Sequence, residues 1–131
     1  MKQIIHFDDH LMDKIIHLER ECENLSKRLK DQFSNKFGSG QTLVIEMVRI
    51  RKCKIADYSE LFEEDYESFI EIGIETEGDY FPNAHIPLWK CKFEWLQKIG
   101  YLTNRNGKEI ESTLKELLNE LIEDNVRERD K

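Results

Sequence analysis

Residues 87–101 read PLWKCKFEWLQKIGY, and two incompatible patterns run through them. Trp89, Cys91, Phe93 and Trp95 alternate with Lys90, Lys92 and Glu94, the period of a half-buried strand. The ends carry helix punctuation instead. Pro87 suits a first helical position, and Gly100 followed by Tyr101 suits a helix C-cap. The predicted state of Leu88 to Ile99 is therefore helix. Read as a strand, the stretch would give a sheet its third member and leave the fold class unchanged.

C-terminal to this stretch, Asn104-Arg105-Asn106-Gly107 signals a tight turn. Ile110, Leu114, Leu117, Leu118, Leu121 and Ile122 then form the apolar stripe of a helix predicted over Lys108–Asp124. Together these give a C-terminal helical part over 86–125, with 126–131 as a charged, frayed tail. N-terminal to the stretch, Tyr80 to Pro87 holds both prolines of the chain and reads as a loop after a Gly78-Asp79 turn. In Phe69–Glu77, Ile70, Ile72 and Ile74 point one way. Phe69, Glu71, Gly73, Glu75 and Glu77 point the other, which predicts a strand with one core face and one acidic face. Thr42–Ile55 is rich in β-branched residues and reads as a long strand, with a bulge expected near Val48–Ile50. The two strands form an antiparallel hairpin over 42–79, and Asp57–Glu67 joins them as a polar connection or short helix.

The first element, within 1–37, is a long amphipathic helix from Asp9 to Phe33. Leu11, Ile15, Leu18, Cys22, Leu25 and Leu29 recur at helical steps along one stripe. Asp8 is the expected N-cap, with Phe7 stapled onto Met12. At ~1.5 Å per residue the helix is ~37 Å long, enough to cover a sheet or to pair with a second copy in a homodimer. The expected fold class is α+β: a long N-terminal helix, an antiparallel β-hairpin of two or three strands, and a C-terminal helix pair. The 131 residues suit a single domain.

No apolar run approaches the ~20 residues of a membrane span, and the start MKQIIHFDDH lacks a secretory h-region. The expected location is the cytoplasm. Cys22, Cys53 and Cys91 are odd in number and lack CxxC spacing, as expected of reduced thiols acting as small hydrophobes.

Charge is distributed unevenly. The net charge is −7, yet no lysine or arginine lies between Lys54 and Lys90. That gap holds ten acids: Asp57, Glu60, Glu63, Glu64, Asp65, Glu67, Glu71, Glu75, Glu77 and Asp79. Aromatics are interleaved with them: Tyr58, Phe62, Tyr66, Phe69, Tyr80 and Phe81. Tyrosines among carboxylates suit a protein interface, and the field attracts basic partners while repelling nucleic acid. The competing structural explanation is internal neutralisation by Arg49, Arg51, Lys52 and Lys54.

Catalytic signatures are missing: there is no GxGxxG, P-loop, HExxH or GxSxG pattern. His10, Asp13, His17 and Glu21 share a helix face, but the two histidines stand two turns, ~10 Å, apart and read as a solvated face rather than as metal ligands. Cys91 with His85 is a nucleophile–base pair in principle, and an enzyme of unrecognised type is one alternative. A DNA-binding regulator with a helix-turn-helix at 88–124 is another, opposed by the acidity of its second helix. The expected function is a small, non-enzymatic, cofactor-free inhibitor of a basic protein such as a nucleic-acid-binding enzyme or toxin. Nuclease inhibitors, immunity proteins, antitoxins and anti-CRISPR or anti-defence proteins are of this type. The predicted contact set is Asp57, Tyr58, Glu60, Glu63, Glu64, Asp65, Tyr66, Glu67, Glu71, Glu75, Glu77, Asp79 and Tyr80. Neither nucleic acid nor membrane is an expected partner.

Overall fold

The computed structural model describes residues 1–129. Its elements run β1 (Lys2–Ile4), α1 (Asp9–Phe33), β2 (Gln41–Arg51), β3 (Lys54–Ile55), β4 (Tyr66–Thr76), β5 (Asp79–Glu94), β6 (Gln97–Leu102) and α2 (Gly107–Arg129). Short 3-10 turns occupy Ser34–Lys36 and Tyr58–Glu60. All strands pair antiparallel in one six-stranded sheet, in the order β1-β6-β5-β4-β2-β3. The fold class is α+β, with both helices on one face of that sheet.

α1 follows its apolar stripe. Leu11 N donates to the Asp8 side chain at 2.8 Å, which caps the first turn. The N-terminal half packs Leu11 and Ile15 against Leu61, Tyr66, Trp89, Cys91 and Leu102. The C-terminal half packs Cys22, Leu25 and Leu29, with Ile110, Leu114 and Leu118 of α2, over Leu43, Ile45, Ile70, Ile72, Ile86 and Leu88. α2 opens on a reciprocal capping box. Glu109 N donates to Asn106 Oδ1 at 2.9 Å, and Asn106 N donates to Glu109 Oε1 at 3.2 Å. Near its other end, Gln41 and Asn125 exchange two amide hydrogen bonds, at 2.8 and 3.1 Å.

The expected C-terminal helix pair is absent. Leu88–Glu94 and Gln97–Ile99 are strand, joined by a turn at Trp95–Leu96. The alternation marks the strand and holds as burial for Trp89 and Cys91, whereas Phe93 and Trp95 are exposed. Gly100 is not a helix cap; it lies in β6 beneath the indole of Trp89. Without a first helix there is no helix-turn-helix at 88–124. Tyr80–Pro87 is also strand, not loop. Both prolines sit beside register shifts of the β4–β5 ladder, Pro82 opposite Gly73 and Pro87 opposite Phe69. A bulge interrupts the ladder, so the missing proline N–H is tolerated there. The shift by Leu88 turns Leu88 and Trp89, neighbours in sequence, both into the core.

The first predicted strand ends early. β2 pairs with β4 in unbroken register, so no bulge falls at Val48–Ile50. The chain then reverses at Lys52–Cys53 into β3. α2 extends to Arg129, past the predicted Asp124; of the predicted frayed tail 126–131, the last two residues lie outside those described.

Candidate functional site

The sheet face away from the helices is uncovered. Alternation brings Val44, Glu46, Val48 and Ile50 of β2 to it, next to Glu67, Phe69, Glu71, Gly73 and Glu75 of β4. β5 adds Tyr80, His85, Pro87 and Lys90. The result is a partly apolar platform carrying four carboxylates.

Glu71 is the best-positioned of these. Tyr80 donates its hydroxyl to Glu71 Oε2 at 3.0 Å, and His85 Nε2 lies 2.9 Å from Oε1. Tyr80 reaches this place because Gly73 has no side chain: a Cβ there would stand 2.8 Å from the tyrosine ring and 2.7 Å from the Phe81 carbonyl. The His85 ring leans on Phe69, with centroids 4.7 Å apart. Burial and the Glu71 carboxylate push the Tyr80 phenol well above its ordinary range, with Glu46 adding to the effect, so the hydroxyl stays a donor. Across the strand pair, Glu46 stands directly opposite Glu71. Like charges in that position destabilise a sheet.

The predicted contact set is divided among four places. Glu67, Glu71, Glu75 and Tyr80 share the open face. Glu77 lies in the β4–β5 turn and Asp79 opens β5. Asp57, Tyr58, Glu60, Glu63, Glu64 and Asp65 lie in the β3–β4 connection at the opposite end of β4. Tyr66 belongs to the core and not to the surface: it is 1% exposed and donates its hydroxyl to Glu19 of α1 at 2.7 Å.

Internal neutralisation is partial. Arg49 is spent on Glu19 and Glu23 of α1, at 2.9 and 2.6 Å. Arg51 contacts Glu60 at 3.4 Å and donates to the Glu64 carbonyl at 3.0 Å. Lys90 lies 3.8 Å from Glu67. Among the described residues, Asp57, Glu63, Glu64, Asp65, Glu75, Glu77 and Asp79 make no ion pair, and neither do Lys52 and Lys54.

Sequence reasoning missed Glu46, which sits outside the acidic gap, and did not join His85 to the acids. The strand pairing Glu46↔Glu71↔His85 supplies both. The pairing of His85 with Cys91 is not formed. Cys91 faces the core and donates to the Phe62 carbonyl at 3.4 Å, and burial pushes its thiol up to about 11. His85 lies on the open face. His10, Asp13, His17 and Glu21 are all exposed on α1, and no group of three metal-ligating side chains converges among the described residues.

No helix among the described residues is long and apolar enough to cross a membrane. The class defined by fold and site is an α+β domain with an uncovered acidic sheet face. Comparison with protein-family models, curated proteins and solved structures gives no match to this chain.

Proposed function

We propose that this protein is a non-catalytic binding module that captures and blocks a basic partner protein through the open face of its sheet. Inhibition of a nucleic-acid-binding enzyme or toxin is the role that suits it. The supporting observation is the placement of Glu46 directly opposite Glu71 on an uncovered face, with Glu67 and Glu75 on the same strand. A folded chain gains nothing from that repulsion, whereas an incoming guanidinium or ammonium group relieves it. Glu71 is held ready by Tyr80 and His85, so its ordering cost is met before binding. Val44, Val48, Phe69 and Pro87 provide half-buried apolar surface beside the charges. Acids of the 57–65 connection add to long-range steering.

The test uses an arginine- and leucine-rich probe peptide titrated into isotopically labelled protein. Amide shifts are expected in Glu46–Val48, Phe69–Gly73 and Tyr80–His85, weakening steeply with added salt. The triple change Glu46→Gln, Glu71→Gln and Glu75→Gln should weaken binding about tenfold or more. Equal shifts along the acidic outer face of α2, at Glu116, Glu120 and Glu123, would reduce the sheet face to one carboxylate patch among several and end this reading.

A further inference from the structure

The β5–β6 hairpin carries a second feature of the surface. Its register with β4 ends at Lys90 opposite Glu67, and that of β6 with β1 ends at Gly100 opposite Ile4. From Lys92 and Ile99 outward the two strands pair only with each other, as a short arm beyond the sheet. The arm ends in a two-residue turn of Trp95 and Leu96. Both residues have positive φ, +52° and +62°. Chains normally place Asn, Asp or Gly at such positions, because a larger side chain crowds the backbone there. Trp95 is 95% exposed and Leu96 94% exposed. Phe93, also exposed, stands at the base of the turn.

Folding therefore gains almost nothing from the side chains of Trp95 and Leu96. They bury almost no surface, and the backbone they occupy is strained. Strain kept at an exposed apolar tip is the pattern of a binding element. The tip's surroundings select its occupant. The acidic connection lies along the base of the arm: Asp65 N donates to the Cys91 carbonyl at 2.8 Å, and Glu63, Glu64 and Asp65 are exposed beside it. Two lysines, Lys92 and Lys98, flank the turn, Lys98 with its ammonium over the Phe7 ring, and the three connection carboxylates together with Glu94 outnumber them. An anionic bilayer would be repelled by those carboxylates. A protein pocket with an apolar floor and a cationic rim matches both the tip and its flank.

We propose that Trp95 and Leu96 form the hydrophobic anchor of the interaction, inserting into such a pocket on the partner protein. The inference rests on the basic-partner reading for the rim of the pocket, and on the turn geometry alone for the anchor.

The experiment begins with a random peptide library displayed on phage and selected on the wild-type protein. The selected peptide is synthesised and its affinity measured by fluorescence anisotropy. Selected sequences should combine aromatic or aliphatic residues with arginine or lysine. The variant Trp95→Asn/Leu96→Gly should lose at least tenfold in affinity while unfolding in urea at the same midpoint as wild type or a higher one, because Asn-Gly suits the turn. Loss of affinity with a lowered midpoint would overturn the proposal, as would affinity within threefold of wild type. Selection of no tip-dependent peptide would do the same, and so would tip-dependent sedimentation with phosphatidylcholine–phosphatidylserine vesicles. The glutamine variant of the sheet face separates the two readings. If it binds as wild type while the tip variant fails, the anchor stands and the sheet-face reading falls; the reverse result removes the anchor alone.

Discussion

Arg49→Met is expected to destabilise the protein by about 3–5 kcal/mol, seen as a lower urea midpoint followed by far-UV circular dichroism. The reason lies one layer below the open face. Glu19, in the middle of α1, is fully buried. Its carboxylate is met by Arg49 Nε at 2.9 Å and by the Tyr66 hydroxyl at 2.7 Å. Arg49 Nη1 also reaches Glu23 at 2.6 Å. Burial works against the Arg49 charge, but the bonds to Glu23 and Glu19 outweigh it and raise the pKa further. Methionine fills much of the same volume and removes the positive charge. Glu19 then remains in the core with a single neutral donor, and the cost is that of an uncompensated buried charge. The double change Arg49→Met/Glu19→Met should recover a large part of the loss, because no charge is left unpaired. Tyr66→Phe should cost less, about 1.5–3 kcal/mol, the range for one hydrogen bond to a charged group. A single-variant loss below about 1 kcal/mol would mean that Glu19 does not depend on Arg49.

The same cluster shows where sequence reading succeeds and where it stops. The bounds of α1 are legible because Asp8 caps it and Leu11 to Leu29 hold helical spacing throughout. Glu19 occupies that same buried stripe, one place from Leu18, and nothing local marks it as the partner of a residue thirty positions later. Tyr66 looked like surface for a related reason: its neighbours Asp65 and Glu67 are acids, while its own side chain points into the core. In the second half of the chain, punctuation misled, and periodicity marked the strand but not the turn at Trp95–Leu96 that ends it. Pro87 and Gly100 resemble helix ends, yet proline at a β-bulge and glycine beneath an indole answer to tertiary demands. Six strands exceed the expected two or three because the prolines of β5 look like strand breakers where the ladder accommodates them by shifting register, and because β1 and β3, of three and two residues, are too short to show a period. The acidic gap was visible, but its acids are sorted by strand direction and turn position, which composition does not record. The open-face site needs the register that sets Glu46 and His85 on either side of Glu71.

Gly100→Ala is the second large effect, expected to cost about 3–4 kcal/mol from overpacking with partial loss of a buried hydrogen bond. Gly100 is buried in β6 and paired on both sides, with Cys91 of β5 and Ile4 of β1. A Cβ at this position would overlap Cη2 of Trp89 and lie 2.6 Å from Cζ3. The indole has no room to withdraw. It is fully buried, its Nε1 donates to the Leu61 carbonyl at 2.8 Å, and the rings of Phe7 and Phe62 stand edge-on to it at 6.1 and 6.2 Å. The strand cannot retreat either, since a shift of β6 would break two ladders at once. One methyl group therefore forces a choice between moving the indole off Leu61 and bending β6. A Trp95→Phe background, which leaves Trp89 as the sole tryptophan, makes the choice visible. Displacement of the indole would shift its emission to longer wavelength, and bending of the strand would leave emission in place while exposing β1 and β6 amides to hydrogen exchange. Trp89→Leu should relieve much of the Gly100→Ala penalty, so the pair of changes would cost less than the sum of the two. Strict additivity would show that glycine is required here by the backbone and not by the indole above it.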